Sequence, residues 1–240
     1  MNKLEILQEW INNSNNIVFF GGAGVSTASG IKDFRSKDGL YSMKYKYPPE
    51  EILSHHFFME NNEEFYKFYV DKLNCLDKKP NICHKYLTKL EKNGKLKAII
   101  TQNIDGLHEK AGSKNIYNLH GTIYKNECIK CHKQYTEKDI FLSHKFKCNC
   151  NGLIKPQVVL YEEPLDMEII DDAIKAISKA DLLLVVGTSL TVYPASSFIN
   201  YYKGNHLVII NRDITSMDKK ANLTIHEDIK EVFEYLNKNI

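Results

Sequence analysis

Four short runs along the chain are continuously apolar: Ile17-Val18-Phe19-Phe20, Ala98-Ile99-Ile100-Thr101, Leu182-Leu183-Leu184-Val185-Val186 and Leu207-Val208-Ile209-Ile210. None alternates between apolar and polar positions. Unbroken apolar strands are those covered on both faces, as in a parallel sheet. Helical spacing of apolar residues occurs over 1–13, 82–92, 167–179 and 194–201, and again over 228–238 as a closing helix. Strands alternating with helices predict an α/β fold, a doubly wound parallel sheet of Rossmann-like type.

Two stretches break the rhythm. Residues 37–80 are polar, aromatic and helix-like, with Phe65, Tyr66, Phe68 and Tyr69 clustered, and residues 124–152 carry paired cysteines, many lysines and no long apolar segment. Both read as insertions between strands of one sheet. The expected organisation is a single domain over 1–240. Its Rossmann-like part comprises 1–36, 81–123 and 153–240, with a helical insertion at 37–80 and a small zinc module at 124–152.

Composition narrows the class. The chain has 240 residues, 43% hydrophobic, enough for one substantial core. Charged residues make up 26% and the formal net charge is +2, which argues against a disordered tail and against dedicated nucleic-acid binding. The amphipathic start is not a signal peptide, and the longest apolar run, 182–187, is far too short to cross a bilayer. The expectation is a soluble, cytoplasmic protein with no membrane partner. The sequence leaves the oligomeric state open, and a monomer would suffice. Arg35 and Arg212 are the only arginines, so each is a candidate place for a planar, multi-donor fork, with Arg35 singled out by its neighbours.

Of six cysteines, Cys75 and Cys83 stand alone in polar, helix-like surroundings. Cys128-Ile129-Lys130-Cys131 and Cys148-Asn149-Cys150 form two close pairs. Paired cysteines in an intracellular chain indicate metal, and four thiolates close a tetrahedral Zn²⁺ site with no open position. One zinc ion would therefore be structural, holding together a module too small to have its own core. His132 and His144 flank the pairs as surplus surface residues.

The first apolar run ends in Gly21-Gly22-Ala23-Gly24-Val25-Ser26-Thr27, with Thr27 where the usual dinucleotide pattern has glycine. A glycine turn leaving a parallel strand lets the backbone approach a pyrophosphate, though a plain strand-to-helix turn would look the same. Gly30-Ile31-Lys32-Asp33-Phe34-Arg35-Ser36 follows, and then Thr101-Gln102-Asn103-Ile104-Asp105-Gly106-Leu107-His108 at the end of the second run. The latter places amides, an acid and an imidazole where open α/β sheets bind ligands, with helix capping by Asn103 or Asp105 as the plain alternative. His120-Gly121, Gly187-Thr188-Ser189-Leu190-Thr191-Val192-Tyr193-Pro194-Ala195 and Ile210-Asn211 complete the set. In this order the motifs resemble the sirtuin family over nearly the whole chain. Lys32 stands where the family usually has proline, which removes a φ constraint from the cofactor loop.

The resemblance implies an NAD-dependent protein-lysine deacetylase or deacylase, which moves the acyl group from lysine to ADP-ribose with release of nicotinamide. It implies His120 as the general base, with Asn103 orienting the ribose hydroxyls and Asp105 accepting from the nicotinamide carboxamide. Ile104 and Phe34 would form apolar walls and Gln102 would support the site. Gly22, Gly24, Asp33 and Arg35 would lie by the cofactor's phosphates, Gly187 would also bind the cofactor, and Ala23, Thr27, Thr188, Ser189, Asn211 and Asp228 would serve its other end. Asp228 reads equally as the N-cap of the last helix.

Residues 156–164 resemble the family's peptide-pairing edge, where an extended acyl-lysine substrate adds as a strand. Val159, Leu160, Tyr161, Glu162 and Val192 are the expected peptide contacts. Glu162 replaces a common glycine and predicts a preference for basic residues flanking the target lysine. In Tyr66-Lys67-Phe68-Tyr69, tyrosine stands where succinyl-preferring members carry arginine, so acetyl or longer apolar acyl groups are favoured; a packed helix core is the plainer account of these rings. A mono-ADP-ribosyltransferase is the alternative reading of the same NAD site. An NAD sensor or a zinc-ribbon nucleic-acid binder is the non-enzymatic one.

Overall fold

The computed structural model describes residues 1–33, 39 and 45–238. Helix α1 (Lys3–Asn13) starts on a capping box between Asn2 and Glu5 and precedes β1 (Ile17–Gly21). The glycine turn continues as a 3₁₀ helix over Ala23–Ser29, not an α-helix. Three short helices follow: α2 (Pro49–Ile52), α3 (His55–Glu60) and α4 (Asn62–Leu73). Next come α5 (Ile82–Lys92), β2 (Leu96–Thr101), α6 (Leu107–Ala111) and β3 (Ile116–Asn118). Strands β4 (Gly121–Cys128) and β5 (Gln134–Thr136), helix α7 (Glu137–Phe141) and strand β6 (Ile154–Val158) lead back to the main body. There α8 (Met167–Lys179), β7 (Leu182–Val186), β8 (His206–Ile210), β9 (Leu223–Ile225) and α9 (Ile229–Lys238) finish the chain.

The main sheet has six parallel strands in the order β3-β2-β1-β7-β8-β9. The chain builds outward from β1 in one direction, then returns to build outward from β7 in the other. The β1/β7 junction is therefore the switch point, where ligands bind at the carboxyl ends of strands. All five residues of β1 are buried: Ile17 and Phe19 enter the core beneath α1, α5 and α9, while Val18 and Phe20 enter the core beneath α8. Covering both faces removes the selection for alternation, which is why the run reads as unbroken.

Sequence pattern missed β3 and β9. Each has three residues at an edge, set by pairing such as Ile99 with Ile116 and Val208 with Leu223. The stretch expected as a helix over 194–201 is a 3₁₀ helix, Ala195–Tyr201. Among the described residues no helix is long and apolar enough to cross a membrane.

Strands β5-β4-β6 form a separate antiparallel sheet. Its apolar side belongs to a third core shared with α3 and α4, in which Ile123, Tyr135, Ile140, Phe141 and Ile154 pack with Phe57, Phe58, Phe65, Tyr66 and Tyr69. The module has no core to itself, as its sequence suggested; its core is completed by helices from another part of the chain. Cys75 and Cys83, expected in polar surroundings, are both buried. Each sits on the inward side of its segment, a placement that their polar sequence neighbours conceal.

Candidate active site

At the switch point the turn after β1 lies directly on the end of β7. Gly22 N–H donates to Val186 C=O at 3.1 Å and Gly24 N–H to Gly187 C=O at 2.8 Å. A Cβ on Gly22 would fall 2.7 Å from Thr188 Cβ, and one on Gly24 2.8 Å from Gly187 Cα. Gly187 itself is left-handed, with φ of 62°. These glycines are required for backbone to meet backbone, quite apart from any phosphate. Ala23 is partly buried, and Thr27 is exposed, its hydroxyl turned back to Gly24 C=O at 2.9 Å.

The end of β2 delivers the polar string to this turn. Gln102 N–H donates to Gly21 C=O at 3.0 Å, and Gln102 Nε2 donates to Thr188 Oγ1 at 3.1 Å. Buried Asn103 sends Nδ2 to Gly22 C=O at 3.0 Å and to Ser26 Oγ at 3.1 Å. Ser26 in turn donates to Asp105 Oδ2 at 2.6 Å, and Asp105 Oδ1 accepts from Leu107 N–H at 2.9 Å. Burial raises the Asp105 carboxyl above its ordinary range against these two donors. Ile104 lies partly buried against the third core, its carbonyl taken by Ile123 N–H at 3.1 Å.

His120 follows Leu119, whose N–H is bound by Thr101 C=O at 2.9 Å. The ring Nδ1 lies 3.0 Å from Gln102 C=O. A carbonyl only accepts, so Nδ1 carries the proton and Nε2 holds the lone pair. Burial lowers the His120 pKa, opposed by the Gln102 hydrogen bond, which favours the charged ring. Helix capping explains only part of the string: Asp105 does take the Leu107 N–H, yet its second oxygen and Asn103 face the glycine turn through Ser26.

Sequence reasoning gave Ser26 no role, although it joins Asn103 to Asp105. Nothing local marks it, because its partners lie far along the chain. His108, grouped by sequence with the ligand end, packs instead against Phe19 and His84, at ring-centroid distances of 5.7 and 4.7 Å.

Other expected residues spread around this centre. Buried Thr188 bonds Gln102 as described, and exposed Ser189 pairs with Thr191 at 2.8 Å. Asn211 directly follows β8, its Nδ2 bound to Asp213 C=O at 2.7 Å. Asp228 caps α9, accepting from Lys230 N–H at 2.8 Å. Asp33 is half-buried. Phe34 and Arg35 lie outside the described residues.

On the other side, Val159 N–H donates to His120 C=O at 3.0 Å. Leu160 N–H goes to Glu163 Oε2 at 2.9 Å, and Tyr161 is bridged to Leu53 and His55 at 2.9 and 3.0 Å. Among the described residues nothing pairs Val159 C=O or Glu162 N–H, so those groups are the ones available to an added strand. Glu162 has φ of 77° and is held by His56. Val192 is half-buried before the 3₁₀ helix. Tyr66 and Tyr69 are fully packed, and Tyr66 Oη donates to Ile154 C=O at 2.7 Å, which accounts for these rings as core.

Away from this centre, the Sγ atoms of Cys128, Cys131, Cys148 and Cys150 all lie within 4.8 Å of one another. A tetrahedral zinc with Zn–S of 2.3 Å sets sulfurs roughly 3.8 Å apart, so the cluster fits that ion. Gly152 permits the closure, since a Cβ there would meet Cys128 Sγ at 2.6 Å. Four sulfurs leave no coordination position for a substrate.

A family model described as Sir2 family matches residues 22–194. The chain is 56% identical over 235 residues to a Clostridium perfringens protein named NAD-dependent protein deacetylase, covering 96% of each chain. It is also similar to a solved Sir2 structure with a p53 peptide and NAD+, at 38% identity and a TM-score of 0.88, covering 100% of this chain and 98% of that one. A second, with a deacetylated p53 peptide and 3'-O-acetyl ADP ribose, has a TM-score of 0.92 at 36% identity, covering 99% and 98%.

Proposed function

The chain belongs to the Sir2 family, and from that premise we propose that it is an NAD-dependent protein-lysine deacetylase with His120 as its base. NAD, when bound, supplies a sugar carbon whose bond to nicotinamide can be exchanged for a bond to the acyl oxygen of the substrate. The chain's own residues do the rest. The glycines of the Gly22–Gly24 turn, with Asp33 and Arg35, hold the phosphates, and Ala23 and Thr27 serve the cofactor's other end. Gly187, Thr188, Ser189 and Asn211 receive the adenosine end, with Asp228 contributing from the start of α9. Asp105, fixed by Ser26 and Leu107, keeps acceptor capacity for a carboxamide, and Asn103 orients ribose hydroxyls beside it. Ile104 and Phe34 exclude water.

His120 takes a hydroxyl proton onto Nε2, while the Gln102 carbonyl steadies the Nδ1 proton and stabilises the ring as it becomes charged. The observation carrying this assignment is the fixed Nδ1–H···O=C hydrogen bond of His120 at 3.0 Å. An acyl-lysine peptide lies along 159–162 and Val192, offered the Val159 carbonyl and Glu162 N–H. The four-cysteine zinc fixes the module that carries one wall of this groove and does no chemistry. With four thiolates to be kept reduced, the cytoplasm suits the protein.

The test is incubation with NAD and an acetyl-lysine peptide, followed by mass spectrometry. Equal yields of nicotinamide and deacetylated peptide are expected. Label from NAD left on protein, with the peptide still acetylated, would favour ADP-ribosyl transfer instead.

A further inference from the structure

The turn after β6 is held by an ion pair that the proposed reaction does not use. Lys155 lies in β6 and Glu163 beyond the turn, yet Lys155 Nζ is 2.9 Å from Glu163 Oε2. The same ammonium donates to Val158 C=O at 3.0 Å and to Pro156 C=O at 3.2 Å. Glu163 is equally well occupied. Its Oε2 also accepts from Leu160 N–H at 2.9 Å, and its Oε1 lies 2.8 Å from His55 Nδ1. Only 19% of the lysine side chain and 17% of the glutamate side chain are exposed. Burial alone would raise the Glu163 carboxyl; hydrogen bonds from His55, Leu160 N–H and Lys155 bring it below its ordinary range.

The backbone of this turn requires such a hold. Glu163 N–H closes it on Leu160 C=O at 3.1 Å, and Glu162 within it is left-handed, with φ of 77°. A residue with a Cβ keeps that conformation only where the surrounding contacts over-determine it. On the outer side, Tyr161 N–H donates to Leu53 C=O and His55 N–H to Tyr161 C=O. On the inner side, the ion pair ties the turn back to β6.

What the turn carries gives the pair its use. Val159 opens it, and Val159 N–H donates to His120 C=O at 3.0 Å, so the turn starts on the proposed base. Val159 C=O and Glu162 N–H, the groups available to a peptide, belong to the same turn. We propose that Lys155 and Glu163 are positioning residues for the substrate: their ion pair fixes the 159–163 turn in advance, so that the acyl-lysine peptide docks on a surface already ordered. They act through the backbone of the turn and take no part in the chemistry. A fixed turn spares the peptide the cost of ordering it. When only a fraction of molecules holds the competent turn, apparent affinity falls by that fraction. The proposal rests on the deacetylase reading and adds two residues to it.

The experiment measures peptide KM, NAD KM and kcat with an acetyl-lysine peptide, and thermal midpoint and bound zinc alongside. Lys155→Met should raise peptide KM about tenfold, with kcat and NAD KM within about twofold of the parent. Lys155→Arg keeps the charge and the donors, and should return peptide KM to within about threefold of the parent. Removing one member of a buried pair leaves an uncompensated charge, whereas removing both leaves none. Lys155→Met combined with Glu163→Met should therefore regain the parent thermal midpoint and zinc content while peptide KM stays high. A peptide KM that is unchanged in Lys155→Met, that rises only in step with NAD KM, or that returns to the parent value in the double variant would overturn the positioning role, while turnover by the parent protein upholds the deacetylase reading. No turnover by the parent protein would overturn both.

Discussion

In the six-stranded sheet, β1 and β7 bury every residue, and β8 all but its first. In the three-stranded sheet, β5 and β6 alternate buried positions with more open ones, and β4 does so irregularly. The first sheet is covered by helices on both faces. The second is covered on one, by side chains from α3 and α4 that lie well before it in sequence, and is pinned at its outer end by four cysteines. A buried parallel sheet carries its own stability in its strands. A small one-sided sheet depends on a metal and on a neighbour. The proposed active site lies where the two meet, with His120 joined to β2 by Gln102 and to the end of β6 by Val159.

Metal removal should separate the regions most strongly, because structural zinc contributes on the order of 10 kcal/mol to small modules. Cys148→Ser, or chelation, should abolish the single bound zinc in native mass spectrometry. Amide protection should disappear in β4, β5 and β6 while β1, β7 and β8 remain protected. Loss of protection in both sheets together would show that they unfold as one unit and would break the comparison.

His120→Ala addresses the junction. Turnover should fall by about two to four orders of magnitude, with NAD binding by calorimetry and protection in both sheets retained. In the parent, the base must be neutral to accept a proton, so activity rises with pH through the His120 pKa. Because burial lowers that value, the acid limb of kcat should lie below the usual imidazole range.

A third test belongs to the main sheet alone. His84 and His108 are buried between α5 and α6, and burial lowers His84 to about 4 and His108 well below the ordinary range. Both rings are neutral in folded and unfolded chains above about pH 6.5. As pH falls from there, the unfolded chain takes up protons first, so stability declines, and the His84 share approaches about 3 kcal/mol near pH 4. Urea midpoints should drop over this window, and less steeply in His84→Gln. An identical slope in that variant would remove His84 from the account.

The smallest effect is expected from Tyr66→Phe. It removes the hydroxyl that donates to Ile154 C=O at 2.7 Å, costs about 1 kcal/mol, and should raise exchange in β6 without altering β1.

The main sheet was legible because continuous burial leaves its mark residue by residue: the central strands, α5 and α8 appear at or near their sequence-derived limits. The short edge strands β3 and β9 were not legible, since three residues carry too little pattern and take their form from the strand beside them. The same limit applied at the proposed site. Gln102, Asn103, Asp105 and His120 stand in motifs that single them out as candidates, whereas the link through Ser26 required knowing that the β1 turn and the end of β2 adjoin.

Local pattern thus pointed to the fold class and the four-cysteine cluster, because each is encoded in neighbouring residues, while the proposed reacting groups came from the family resemblance of the motifs. Only the tertiary structure decided that the zinc module borrows its core from α3 and α4, that the glycines of the first turn bear on β7, and that Glu162 meets His56. Those contacts join distant segments, and their energies depend on burial and distance, which sequence spacing does not contain.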